Sequence, residues 1–370
     1  GEEGNFRGVF AKEVLEEGEV VCNLPWELLV KPSRSNNYVG DCGTTFAIYD
    51  LMKEGRNPYG RYLKTQPRRY VPGFWSTEGK ELLTEMLGED LPPFEFDEFI
   101  DGWWGKNCAR QPRGRQLMRE DPELALHARM LVIARADDDL MVPFYDMMNH
   151  RNGKWYNTHH ILEYGEYFAI VTNRRVEAGE QLYLSYNQCN NCMGRVEEFG
   201  TPEMFKHYGF VEFMPQRWYI EDLRVKFDID DKEDGTGLEL TFKLPISKRG
   251  ILYFMKELSR LEDFKKKYKD TEIAAAVPES ELFSLWQYHD AVTTAFALAL
   301  RTGEGKATEE VWEMGDDWWV TEAHITNPSS DDWSSDDPEA GSSWDDEFHV
   351  EEEHVEEEPS SWDEEYSNEL

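Results

Sequence analysis

Apolar positions along the chain follow two rhythms, and each rhythm predicts its own kind of element. Near the N-terminus the pattern is short and extended. Val9-Phe10-Ala11 follows the glycine-bounded loop Gly4–Gly8, and Val20-Val21-Cys22 follows the turn Glu16-Glu17-Gly18, so two strands are expected. From Thr44 to Arg135 the spacing changes to three and four. Phe46, Ile48, Tyr49, Leu51 and Met52 suit one helix, and Leu82, Leu83, Met86 and Leu87 suit another. Leu124–Arg135 suits a third that is apolar nearly all round and therefore buried. Pro58, Pro67, Pro72, Pro92 and Pro93 break this region into short pieces.

Alternation returns after Leu140. His160–Glu163 and Tyr167–Thr172 read as a hairpin across Tyr164-Gly165-Glu166. Ala178-Gly179-Glu180 turns into a strand in which Leu182, Leu184 and Tyr186 share one face, with Tyr183 and Ser185 on the other. A short helix, Pro202–His207, leads into Tyr208-Gly209-Phe210. Leu223–Ile229 and Leu238–Leu244 then alternate strictly on either side of Asp234-Gly235, a hairpin with one buried face. Two helices follow. Ile251, Phe254, Met255, Leu258 and Leu261 make one apolar stripe that ends in Lys265-Lys266-Lys267, and Glu281–Arg301 runs from Pro278 to Gly303.

Composition changes the picture mainly at the C-terminal end. The net charge is −36, and Ser329–Leu370 holds eighteen acidic residues with no lysine or arginine, half of the total. That segment cannot bury enough apolar area to fold and is expected to be a disordered acidic tail. Ser342–Phe348 recurs in it as Ser360–Tyr366. The repeat is either a solvating tail or a pair of docking motifs, through Trp344 and Trp362, similar to the tryptophan-acidic motifs that bind helical-repeat adaptors. The acidic balance speaks against a nucleic-acid surface and for a basic protein partner. No apolar run reaches the roughly eighteen residues of a membrane span. Five scattered cysteines in so long a chain read as a reducing compartment rather than a disulfide framework. A cytoplasmic or nuclear location is expected, and a plastid one stays open because the chain begins at glycine.

Candidate chemistry gathers in Val142–His150 and Gly179–Asn187. Asp146, Asn149 and His150 fall at i, i+3 and i+4, so one helical turn would set them on one face. Read alone, they also describe a capped turn at a strand end. Gly8, lacking a β-carbon, could let backbone approach a ligand. Arg129 lies in the buried helix and requires a carboxylate partner, while Arg135 beside Asp137–Asp139 reads as pairing at the surface. Cys189-Asn-Asn-Cys192 has metal-ligand spacing but only Cys108, His159 and His160 to complete four ligands, so no metal is expected. No phosphate loop, nucleophile elbow or H-E-x-x-H is present.

Gly8-Val-Phe-Ala11, Asp146-Met-Met-Asn-His150, Ala178-Gly-Glu-Gln-Leu-Tyr-Leu-Ser-Tyr186 and Tyr208-Gly-Phe210 occur in the order found in SET-domain methyltransferases, which this chain resembles. Within them, Pro58-Tyr59 through Leu63, Pro67 and Gly73-Phe-Trp75 are similar to the branch typified by the RuBisCO large-subunit lysine methyltransferases and actin-histidine methyltransferases. The resemblance implies an α+β fold: a β-rich SET core over residues 1–213 with a helical insertion at about 44–135, a hairpin-and-helix domain over 214–320, and the tail over 321–370. It implies S-adenosylmethionine as methyl donor, bound near Gly8 and by Arg129, Asn149 and His150, with Asp146 supporting the turn. Tyr186 would be the catalytic tyrosine, with Leu131 and Tyr183 lining the substrate channel. Asn149–Gly153 is close to the histidine-modifying version of the motif, whereas Leu131, two residues after Arg129, sides with lysine. Transfer to a lysine of a protein is the expected function. A histidine acceptor, or a non-catalytic scaffold recruiting partners through its tail, is the alternative.

Overall fold

The alternating stretches do become strands, but they are spread over three small sheets. The computed structural model describes residues 8–32, 40–68, 70–89, 91–93, 108–137, 139–187, 199–243, 246–269 and 271–303. The tail with Trp344 and Trp362, and the Cys189/Cys192 pair, lie outside these residues. Strands β1 (Val9–Phe10), β2 (Val20–Pro25), β3 (Asn149–His150), β4 (Thr158–Glu163), β5 (Tyr167–Thr172) and β6 (Gln181–Leu184) form two three-stranded sheets, ordered β1-β6-β3 and β2-β5-β4. The hairpin β4–β5 has its expected register, with Glu163 opposite Tyr167 and Gly165 at φ 89° in the turn.

Between β2 and β3 run helices α1 (Gly40–Glu54), α2 (Pro58–Lys64), α3 (Thr77–Leu87), α4 (Pro112–Glu120) and α5 (Pro122–Arg135). Asp121 caps α5 by accepting a bond from the Leu124 amide (3.0 Å), and Pro122 occupies the first turn, where no amide hydrogen is needed. As its composition predicts, α5 is buried on nearly every side, packed by Ala125, Ala128 and Leu131 against Phe46 and Tyr49 of α1. Cys42 and Cys108 are joined by a disulfide within this helical core, both fully buried. For this pair the expectation of reduced thiols is overturned, while Cys22 is free. The two residues stand 66 apart in sequence, yet the start of α1 and the turn before α4 meet across the core, a proximity that spacing does not reveal.

Beyond the second sheet come α6 (Thr201–Tyr208), β7 (Gln216–Ile220), β8 (Val225–Asp231), β9 (Leu238–Phe242), α7 (Lys248–Tyr268), α8 (Glu272–Ala276) and α9 (Glu279–Gly303). The predicted hairpin forms as β8–β9, with Phe227 opposite Phe242, and β7 adds a third strand that the sequence reading did not anticipate. Helices α7 and α9 cover this sheet and share one apolar core with α3, which ties the helical insertion to the C-terminal elements. Glu281 of α9 accepts from the Ser76 amide (3.0 Å) and hydroxyl (2.6 Å) at the start of α3. Gly209 ends α6 in the left-handed region at φ 74°, and a Cβ there would stand 1.9 Å from the Tyr70 carbonyl oxygen. That contact explains the glycine of Tyr208-Gly209-Phe210: it lets α6 close down on the insertion.

Candidate functional site

The short parallel pair β3–β6 organises the site. Asn149 stands opposite Tyr183 and His150 opposite Leu184. Successive strand residues face opposite sides, so Asn149 and His150 are divided between the two faces rather than sharing one. The single-turn expectation for Asp146, Asn149 and His150 is therefore corrected. Tyr145–Met147 makes one 3-10 turn, and pairing with β6 then pulls the next two residues extended. Phe144 enters that turn at φ 73°, a conformation costing about 1–3 kcal/mol for a bulky residue, which the surrounding packing must hold in place.

On the Asn149 face the backbone of Gly8 comes in closely. A Cβ at Gly8 would lie 2.1 Å from Gln181 Nε2 and 3.1 Å from Asn149 Nδ2, so no other residue fits without displacing them. The Tyr183 hydroxyl donates to Gln181 Oε1 (2.9 Å), which leaves the buried Gln181 amide nitrogen without a hydrogen-bond partner among the described residues. Such a nitrogen, beside a glycine with no side chain, fits a site where backbone and amide meet an incoming polar ligand. Arg151 extends this face, with its guanidinium 4.7 Å from the Trp155 ring, 5.0 Å from Phe213 and 6.0 Å from Tyr183. Tyr183 thus belongs to the Gly8 face, the side opposite Leu182 and Leu184 that the alternation predicts.

On the His150 face Tyr186 is walled by aromatic rings, with centroids at 4.9 Å for Tyr208, 5.2 Å for His150 and 6.4 Å for Phe210. Its hydroxyl donates to the Met148 carbonyl (2.5 Å), and burial holds it protonated well above the ordinary phenol range. His150 Nδ1 accepts the Tyr186 amide hydrogen (3.0 Å), and Nε2 meets Glu212 Oε2 (2.8 Å). Both ring nitrogens of His150 are therefore engaged inside the protein.

Below the turn, Asp146 is buried beside Arg135. Arg135 Nη1 donates to the Asp146 carbonyl (2.7 Å) and stands 3.7 Å from its carboxylate, while Nη2 donates to Gln66 Oε1 (3.0 Å). Arg135 consequently faces inward, and its expected surface pairing is corrected: the end of α5 abuts the turn, so the shortest path for the guanidinium leads into it. Burial raises the Asp146 carboxyl to about 6, with the Arg135 charge opposing. Arg129 is buried as expected, at 2% exposure. Leu131 is fully buried and packs in the helical core between α5 and α1.

Sequence reasoning missed Glu212, Asn152, Thr201, Gln66 and the inward turn of Arg135. The signal for Glu212 was present: a lone carboxylate inside the apolar run Phe210-Val211-Glu212-Phe213. Among the described residues no group of three or more His, Cys, Asp or Glu could hold a metal, and no helix is long and apolar enough to cross a membrane.

Residues 7–187 match the SET domain family. A solved structure, the crystal structure of the SET domain of LSMT bound to lysine and AdoHcy, is similar with a TM-score of 0.42 at 14% identity, over 84% of this chain and 90% of that one. Among curated proteins no relative matches. The matched span begins at the Gly8 loop and ends just past Tyr186, so it encloses the strand pair and both of its faces: residues 7–187 of this chain are a SET domain, the domain of methyltransferases whose donor is S-adenosylmethionine.

Proposed function

We propose that this protein transfers a methyl group from S-adenosylmethionine to the side-chain amine of a lysine in a protein substrate. The observation that carries the reading is the division of one strand pair into a glycine cradle at Gly8 and an aromatic-walled, buried hydroxyl at Tyr186. When bound, the donor supplies an electrophilic methyl on a sulfonium. Gly8, Asn149 and Arg129 hold the donor, the guanidinium suiting its carboxylate and the cradle its close approach to backbone. The His150 ring serves the same pocket indirectly, by fixing Tyr186. Asp146 and Arg135 brace the turn that presents the Met148 carbonyl, which in turn aims the Tyr186 hydroxyl.

Methyl transfer is an in-line displacement, so the chain's task is alignment and exclusion of water. The rings of Tyr186, Tyr208 and Phe210 favour the alkyl stem and disfavour the charged form of an entering amine, which leaves it nucleophilic. The fixed hydroxyl dipole of Tyr186 needs no reorganisation as the bond changes. The acidic character of the chain suits a basic substrate, and Trp344 and Trp362 of the tail are proposed as docking points for a basic adaptor.

The test combines calorimetric titration of the donor with tritium transfer to a protein extract, followed by amino-acid analysis of the labelled protein. Donor binding with labelled methyllysine is expected. Labelled methylhistidine would replace the acceptor assigned here, and failure of the donor to bind would remove the enzymatic reading altogether.

A further inference from the structure

We infer that Glu212 is a positioning residue for the proposed transfer: its carboxylate selects the tautomer of His150 and thereby sets the backbone of Tyr186. The catalytic consequence rests on the methyltransferase reading, whereas the geometry stands without it.

A ring nitrogen that accepts a hydrogen bond carries no hydrogen. His150 Nδ1 accepts from the Tyr186 amide (3.0 Å), so the ring hydrogen resides on Nε2, which donates to Glu212 Oε2 (2.8 Å). The side chains are 1% and 0% exposed, so water cannot replace either partner. If the carboxylate were absent, Nε2–H would be a buried donor with nothing to receive it. Moving the hydrogen to Nδ1 would relieve that, but it would set the ring against the Tyr186 amide, donor facing donor. The carboxylate therefore decides which nitrogen points at Tyr186.

Glu212 is itself over-determined. Oε1 accepts from the Thr201 hydroxyl (2.7 Å), and Oε2 also accepts from Asn152 Nδ2 (3.0 Å) and, at the long limit, from Asn187 Nδ2 (3.5 Å). The single hydroxyl hydrogen of Ser185 has the amide oxygens of Asn152 (2.6 Å) and Asn187 (3.1 Å) within reach, and the shorter contact, to Asn152, turns that amide's nitrogen toward the carboxylate. A carboxylate only accepts, so every donor in the cluster is given one direction. Its backbone is fixed as well, since Gln216 Nε2 donates to the Glu212 carbonyl (2.8 Å) at the entry to β7. The cluster draws on four separate stretches of chain, and it delivers one bond to the residue that bears the catalytic hydroxyl.

The measurement is long-range proton–nitrogen correlation on the full chain carrying nitrogen-15 histidine, with His150 assigned by His150→Gln, alongside amide exchange at Tyr186. Wild type is expected to show the Nε2–H form. Glu212→Gln can keep its amide oxygen toward His150 and Asn152 while Thr201 reverses, so it should retain that form and a transfer rate within about threefold. Glu212→Asp and Glu212→Ala should shift the tautomer and speed Tyr186 amide exchange. Their transfer rates should fall about 10- to 100-fold, with donor affinity by calorimetry within about twofold. Should Glu212→Ala not fold, Glu212→Asp decides. A wild-type His150 bearing its hydrogen on Nδ1, an unchanged His150 signal in the Asp and Ala variants, or an equal rate loss in Glu212→Gln would each overturn the inference. Wild type inert toward every extract would strike the proposed function instead, and the tautomer result would stand.

Discussion

Trp218, Phe254 and Phe296 in the C-terminal core meet ring to ring, at 4.5 Å for Phe254–Phe296 and 6.4 Å for Trp218–Phe296. His150, Asn152 and Thr201 at the site instead meet through a single carboxylate. Ring packing is graded: a smaller or shifted side chain loses contacts in proportion to its size. The carboxylate cluster is directional, so one reversed donor is felt by every other member. The first arrangement supplies stability and the second supplies position, and substitutions in each should separate along that line.

The largest effect is expected from Phe254→Ala, which should lower unfolding free energy by about 3–5 kcal/mol. Urea unfolding measures the loss, and donor affinity of the folded fraction should stay within about twofold. An equal loss of affinity would erase the distinction between the regions. Next is Tyr186→Phe, expected to cut methyl transfer about 100-fold, near 2.7 kcal/mol of barrier, while unfolding free energy changes by no more than about 1.5 kcal/mol. Initial rates at saturating donor test it, and unchanged transfer would take Tyr186 out of the mechanism.

Asp146→Asn should work in the opposite sense and stabilise. The folded state raises this carboxyl from 3.8 to about 6, so its ionisation opposes folding. That opposition is absent below the ordinary value, grows between the two values and is complete above about 6. The variant should therefore exceed wild type by on the order of 1–3 kcal/mol at pH 8, the difference vanishing toward pH 4, as thermal melts at both values would show. A constant difference would mean that Asp146 titrates normally.

The smallest effect sharpens the comparison from α5. Burial lowers His127 from 6.5 to about 4, and neither ring nitrogen has a hydrogen-bond partner among the described residues. The neutral ring is the form that the fold accepts. Its stability is whole above pH 6.5 and is lost as pH falls from there to about 4. His127→Leu should remove that part of the acid sensitivity, on the order of 1–2 kcal/mol between pH 7 and pH 4, read from the same melts.

How much of this was legible beforehand follows the same division. Period-two and period-3.6 patterns located β4–β5, β8–β9, α5, α7 and α9, because each buries one face or is buried whole. Motif residues Gly8, Asn149, His150 and Tyr186 were identified, and the structure sets Gly8 beside Asn149 on one face of the strand pair and His150 beside Tyr186 on the other. Their roles were less legible. Asn149 and His150 were set on one face because spacing favoured a turn, when two residues of parallel pairing with β6 decided otherwise. Leu131 was read from its offset from Arg129, and because α5 is buried all round, periodicity alone did not say that Leu131 packs with residues of α1. Glu212, Asn152 and Thr201 follow no local pattern at all, since each gains its meaning from partners many residues away.

The cystine between residues 42 and 108 has a practical corollary. It makes a covalent ring of the chain from α1 to the turn before α4, enclosing α2, α3 and the linkers around them. A protease cut at any one bond inside that ring would leave the polypeptide in one piece on a gel run without thiol, and in two pieces once thiol is added. Mobility shift on reduction, after limited digestion, would thus map accessible linkers of the insertion without sequencing a fragment.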